Sequence, residues 1–172
     1  MKLQALTGSH DRSGFDCGVG ALNLWLRQTA MQHQAKGISR TFVAVPTDKD
    51  AARDYRAAGY ADVEQTTILG FFTLASAFVL ADDLAPELAK RYPRQIPVTR
   101  LGRLAIRSDL HGQGLGRLLL ADAVTRSRNA ALSVGSAGIF VDAKNARAAR
   151  FYAQYGITPC QAQALKLYLP IW

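Results

Sequence analysis

The chain has 172 residues, 49% of them hydrophobic and 20% charged, with a formal balance of +8 and a sequence pI near 9.9. These figures fit a folded soluble chain with a substantial core, read here as one domain over residues 1–172, and no apolar run is long enough to span a bilayer. The opening residues carry no stretch of signal-peptide length, so a cytoplasmic protein with no membrane association is expected. A basic surface attracts polyanions such as nucleic acid, although a basic protein without such a partner has the same composition. Cys17 and Cys160 read as idle thiols, and His10, His33 and His111 show no metal-ligand spacing, so no metal is expected.

Leu3–Leu6 reads as a first short strand. From Ala21 to Gln34, Leu22, Trp25, Leu26, Thr29 and Ala30 fall at helical spacing and predict one amphipathic helix that Gly37 ends. Ser39–Val45 is a β-rich run closed by Pro46. Residues 47–65 are polar and without period, and read as an extended hairpin loop or insertion. Thr66–Ala81 is strand-like and long enough to bend. Leu84–Tyr92 suggests a short helix with Asp82 or Asp83 as N-cap, and Val98–Ile106 is the next strand. A helix over Leu115–Ala130, a strand over Ala137–Ala143 and a helix from Asn145, its N-cap, to Gly156 follow. Ala164–Trp172 closes the chain as a strand. This order predicts a mixed α/β fold, with a parallel strand pair joined through a helix and antiparallel strands on the N-terminal side.

The run His111-Gly112-Gln113-Gly114-Leu115-Gly116 sits between a strand and a helix. Glycine permits positive φ and close backbone approach, and a helix N-terminus offers unpaired N–H groups to a phosphate. The plainer reading is a tight strand-to-helix turn with no ligand. A Walker loop would require Lys-Ser/Thr after its last glycine, where Arg117 and Leu118 stand, and the dinucleotide fingerprint requires Gly-x-Gly-x-x-Gly.

A third pattern fits. His111–Gly116 resembles the acetyl-coenzyme A signature Gln/Arg-x-x-Gly-x-Gly/Ala of the GNAT superfamily of N-acetyltransferases, with His111 departing at the first position. Asn145, Ala148, Phe151, Tyr152 and Gly156 resemble the second half of that signature, with Ile157 in place of Phe. The stretch from Phe15 to Val45, together with "GFFTLAS" and "LGRLAI", resembles the GNAT toxins of bacterial toxin–antitoxin pairs. Those toxins acetylate the α-amine of aminoacyl-tRNA and block translation. The resemblance implies an α/β (α+β) GNAT fold: a mixed, mostly antiparallel sheet, splayed at the acetyl-coenzyme A site and flanked by helices. It implies backbone contacts to the cofactor from Leu104, Ala105 and Ile106. The loop His111, Gly112, Gln113, Gly114, Leu115, Gly116 and Arg117 would hold the pyrophosphate, with Asn145 as a further contact. Tyr152 would be the general acid at the departing sulfur. Aminoacyl-tRNA, a ribbon-helix-helix antitoxin and a homodimer are the partners it implies.

Alternatives stay open at this level. Tyr152 is also a packing aromatic beside Phe151, Asn145 also only a cap, and Leu104–Ile106 also plain core. The strand before the loop has no Asp or Glu to serve as base, and Glu64 falls in a loop. A site without a base suits an α-amine near ~7.7–8.0 better than a lysine near ~10.4. Lys36, Arg40, Arg91 and Arg94 are the candidate RNA contacts, with Lys90, Arg100, Arg103 and Arg107 as further recurring cations. A GNAT enzyme acting on a protein or small-molecule amine, and a corepressor bound to a DNA-binding antitoxin, are the rival functions.

Overall fold

Residues 1–161 and 163–171 are described by the computed structural model, so the closing strand expected to reach Trp172 lies partly outside the described residues. The chain divides into two units, each woven from separated segments. Residues 1–73 with 103–122 form one, and residues 74–102 with 123–172 the other.

The first unit holds β1 (Lys2–Ala5), α1 (Gly20–Gln28), α2 (Ala30–Ala35), β2 (Arg40–Val45) and α3 (Lys49–Ala57). It also takes the start of β3 (Gly70–Leu80), the end of β4 (Gln95–Ile106) and the first half of α5 (Leu115–Ala131). Its strands run in the order β1-β2-β3-β4, and β1 pairs antiparallel with β2 from Lys2↔Val45 to Ala5↔Phe42. The helical spacing of Leu22, Trp25 and Leu26 is spent on a core with Phe15, Val43, Val45, Ile68, Phe71 and Ala105. Phe15 meets Phe71 edge-on at 5.4 Å between ring centroids, and Trp25 stacks on Phe71 at 6.1 Å.

Two segments fold differently from their sequence pattern. The single helix over Ala21–Gln34 is two, because Thr29 (φ −110°) breaks the repeat between α1 and α2. Gly37, in the left-handed region at φ 69°, does end α2. Residues 47–65 are not a featureless loop. Asp48 caps α3 by accepting a hydrogen bond from the Ala51 N–H at 2.8 Å. Only Ala52 of α3 is buried, with Ala51 and Tyr55 half-buried beside it, so a narrow apolar face is set in an otherwise charged helix.

The second unit holds the rest of β3, β4 and α5, with α4 (Pro86–Ala89), β5 (Gly138–Asp142), α6 (Ala146–Ala153), β6 (Thr158–Cys160) and β7 (Gln163–Pro170). Its order is β3-β4-β5-β7-β6. β4 and β5 are parallel, as their connection through α5 demands. β7 pairs antiparallel with both β5 and β6. Asp82 and Asp83 do not cap a helix. They lie in a 3₁₀ turn, and α4 starts with Pro86 at its first position behind Ala85. The three-residue β6 was not expected. The core gathers Val79, Leu84, Ile96, Val98, Phe140 and Tyr168. The Tyr168 hydroxyl donates to the Ala137 carbonyl at 3.0 Å and lies 3.1 Å from the Tyr92 hydroxyl.

Both cysteines are free and buried. Among the described residues no helix is long and apolar enough to cross a membrane. Gly138 is the tightest point of the β5–β7 pair, where a Cβ would come within 2.5 Å of the Leu169 carbonyl oxygen and the Tyr168 ring. Gly138→Ala is therefore expected to cost ~1–3 kcal/mol or more. A urea midpoint equal to wild type would contradict this packing.

Candidate active site

In β4 the described pairs with β5 run only from Thr99↔Ile139 to Leu101↔Val141, while the strand itself continues to Ile106. The Ala105 side chain is buried in the first unit's core, and Leu104 and Ile106 are half-buried. The strand's side chains thus fill space, and its backbone carries the remaining polar chemistry.

Past Ile106 the chain makes a 3₁₀ turn, Ser108–Leu110, anchored by the fully buried Leu110. Gly112 and Gly114 then take φ of 76° and 80°, a region costly to other residues, and α5 begins at Leu115 with Gly116 inside it. A Cβ at Gly112 or Gly114 would meet nothing within 4 Å, so the backbone there lies open rather than crowded. The 17-residue α5 has no acidic residue in its first turn, so its own side chains place no carboxylate against the positive end of its dipole. An open, N–H-rich loop at such a terminus fits a phosphate.

The loop's side chains are tied back to the protein. His111 Nε2 donates to the Ile106 carbonyl at 2.9 Å, so the ring at the signature's first position faces the strand end. Gln113 Nε2 donates to the Tyr60 hydroxyl at 2.7 Å. Leu115 is half-buried and Arg117 exposed. The Ser108 N–H donates to the Asp16 carbonyl at 2.9 Å, joining the turn to the segment before α1.

The carboxylates of Asp16 and Asp62, residues tied to the strand end through Ser108 and Arg107, and that of Glu64 are all engaged. Asp16 accepts from the Gly18 N–H (2.8 Å) and the Asn23 side chain (2.7 Å), and these bonds hold its carboxyl below the usual range. Asp62 is held low by its hydrogen bond from Arg107, which also reaches Asp109 through two nitrogens. Glu64 is an exposed loop residue 3.3 Å from Arg56. The arginines recurring along β4 are not free cations. Arg107 is only 7% exposed, Arg103 lies 4.0 Å over the Trp25 ring, and Arg100 pairs with Asp142 at 2.7 Å. Lys36 and Arg40 in the first unit, and Arg91 and Arg94 in the second, are exposed and form no ion pair among the described residues.

The second unit places Asn145 and Tyr152 on α6. The Asn145 side chain accepts from the Ala148 N–H at 2.9 Å, so it caps the helix. Gly156, at φ 84°, ends it. Tyr152 is 7% exposed, its ring 5.2 Å from that of Phe151, and no described residue hydrogen-bonds its hydroxyl. Burial pushes the phenol up to about 12, so it keeps its proton across the neutral range as a donor. No described group of three His, Cys, Asp or Glu residues could hold a metal ion.

Sequence reasoning missed Asp16, Tyr60 and Asp62. Tyr60 and Asp62 are unmarked locally because their partners lie 53 and 45 positions away, whereas the Asp16 carboxylate is held by Gly18 and Asn23, two and seven positions on.

Residues 48–157 match the family model described as "Acetyltransferase (GNAT) family". The chain is 31% identical, over 95% of its length and 88% of the relative's, to a tRNA-acetylating toxin of Mycobacterium tuberculosis. It superposes with a TM-score of 0.83 on AtaT complexed with acetyl-methionyl-tRNAfMet, at 30% identity, covering 98% of this chain and 94% of that one. A tyrosine-to-phenylalanine variant of AtaT, bound to the C-terminus of the antitoxin AtaR and acetyl-CoA, matches with a TM-score of 0.76. The identity is 29%, over 99% of this chain and 92% of that one.

The Tyr152 environment makes a spectroscopic prediction. The folded protein binds this proton more tightly than the unfolded chain, whose phenol titrates near ~10. The linked stability is full below ~10 and is lost as pH rises towards about 12. The difference titration of wild type minus Tyr152→Phe should show no phenolate until well above the ordinary tyrosine value. A phenolate appearing at or below that value would contradict the burial.

Proposed function

Because the chain belongs to the GNAT family of acetyltransferases, we propose that residues 1–172 form one N-acetyltransferase domain. It is the toxin of a toxin–antitoxin pair and acetylates the α-amine of aminoacyl-tRNA. The observation that carries this reading is the open glycine loop, which follows the end of β4 and opens the acid-free first turn of α5.

Acetyl-coenzyme A, when bound, supplies the acetyl group on a thioester whose sulfur leaves as a thiolate. The N–H groups of Gly112–Arg117 hold its pyrophosphate, and the exposed Arg117 adds charge. His111 and Gln113 contribute through backbone and by fixing the loop, since their side chains are engaged elsewhere. The backbone of Leu104, Ala105 and Ile106 receives the pantetheine arm as an added strand. An N–H near Ala105 or Ile106 stabilises the negative charge that develops on the acetyl oxygen. Tyr152 donates its proton to the departing sulfur, and the proton the attacking nitrogen sheds as the amide forms returns through water to the phenolate. Asn145 serves as the cap that starts the Tyr152 helix.

The acceptor follows from the acids. Asp16 and Asp62 are stabilised as carboxylates by their donors, which weakens them as bases, and Glu64 is turned to Arg56. An amine that arrives already neutral is the one this site can use. An α-amine near ~7.7–8.0, lowered further by its ester, meets that condition, whereas a lysine near ~10.4 does not. The balance of +8 suits a polyanionic carrier, and Lys36, Arg40, Arg91 and Arg94, which form no ion pair among the described residues, are its candidate phosphate contacts. A ribbon-helix-helix antitoxin, a homodimer and a cytoplasmic setting complete the reading.

Inducible expression in a bacterial host tests it. Wild type should arrest growth and yield acetylated aminoacyl-tRNA by mass analysis. Tyr152→Phe should lower kcat by roughly 10²–10⁴-fold, the usual weight of a general acid. Wild type that neither stops growth nor acetylates aminoacyl-tRNA overturns the proposal. Gly114→Glu should lose coenzyme A binding while its melting temperature moves by only a few degrees, since one strained residue costs about 1–2 kcal/mol. Unchanged affinity in that variant would remove the phosphate assignment.

A further inference from the structure

We propose that the turn after α3 is a brace for the glycine loop, with Arg107, Asp62 and Tyr60 as positioning residues that hold the loop's backbone in its binding shape. The inference rests on the acetyltransferase reading for its ligand. Its own basis is the set of contacts around the loop.

The glycines supply no restraint of their own. Gly112 and Gly114 hold positive φ where an added Cβ would meet nothing within 4 Å, and residues 111–114 are exposed throughout. A segment so free would lose much conformational entropy on closing around a ligand. Two ties reach it from the α3 side. Gln113 donates to Tyr60, and Arg107 joins Asp109, at the root of the loop, to Asp62. Arg107 is the pivot. A buried guanidinium requires carboxylate partners, and this one takes one from the loop side and one from the α3 turn.

The α3 turn is itself set before it meets the loop. Arg56 Nη1 donates to the Val63 carbonyl at 2.7 Å, and the Tyr60 N–H donates to the Tyr55 carbonyl at 3.1 Å. The rings of Tyr55 and Tyr60 meet edge-on at 6.0 Å, and Val63 is fully buried. Tyr60 and Asp62 therefore reach the loop as one fixed pair. Holding a binding loop in its bound shape lowers the cost of binding without adding a ligand contact.

The test uses the full chain carrying Tyr60→Phe and Asp62→Asn, which keeps the tyrosine ring and alters an exposed carboxylate. Coenzyme A affinity by calorimetry is expected to fall about tenfold, with the KM for acetyl-CoA rising in step and kcat staying within about twofold. Amide exchange should quicken over residues 107–116 and stay at the wild-type rate in β1 and β2. Asp62→Glu alone, which keeps the charge, should retain wild-type affinity. Affinity and exchange unchanged in the double variant, with wild type binding coenzyme A normally, overturn the brace and leave the acetyltransferase reading standing. Faster exchange throughout, with kcat falling as much as affinity, overturns it in favour of a general loss of stability. A wild type that binds no coenzyme A overturns both.

Discussion

Backbone polar groups must find partners, and β4 is where this demand is shared between fold and site. Along Thr99–Leu101 the strand spends its hydrogen bonds on β5. Beyond Leu101 it continues for five residues without a described β5 pair, and the Arg107 N–H closes its other edge against the Leu69 carbonyl at 3.0 Å. The chain then passes directly into a loop of N–H groups at a helix terminus. In the proposed acetyltransferase reading, this run of backbone takes the extended arm of the cofactor and, at its end, the phosphate. Side chains need not change for this to work. The Ala105 side chain stays in the core.

This division of labour explains what the signature residues do. Three of the positions that look like ligand contacts in sequence have side chains that fasten the fold. His111 is turned onto Ile106, Gln113 onto Tyr60, and Asn145 onto the first turn of α6. His111, the departure from the usual Gln or Arg, supplies an N–H donor to a carbonyl, which either of those residues could also supply. Tyr152 differs from the others. It sits deep in its unit with a hydroxyl that no described residue hydrogen-bonds, and burial raises its pKa to about 12. Chemistry of this kind depends on a fold that fixes the backbone first and leaves one proton donor ready.

Legibility from sequence followed the same boundary. The glycine loop, α5, β5 and α6 with its Asn145 cap and Gly156 stop were readable because local rules govern them: positive φ, helix periodicity and capping. The break at Thr29 was not, since Trp25, Leu26 and Ala30 keep an unbroken apolar spacing across it and tertiary packing decides where the helix parts. α3 was hidden by its charge, with Asp48 its one local signal. Asp82 and Asp83 are good capping residues, yet Pro86 starts α4 without them. Arg107 looked like one more surface cation because its partner Asp62 lies 45 positions earlier. The acids that would bear on a base were legible as residues but not as engaged ones.

The central claim is that coenzyme A is held by the backbone of the β4 end and the glycine loop. Amide chemical shifts of labelled protein during titration with coenzyme A address it directly. The N–H resonances of Ala105, Ile106 and Gly112–Arg117 should move most and saturate together. Saturable shifts confined to other parts of the chain, with these amides unmoved, would contradict it.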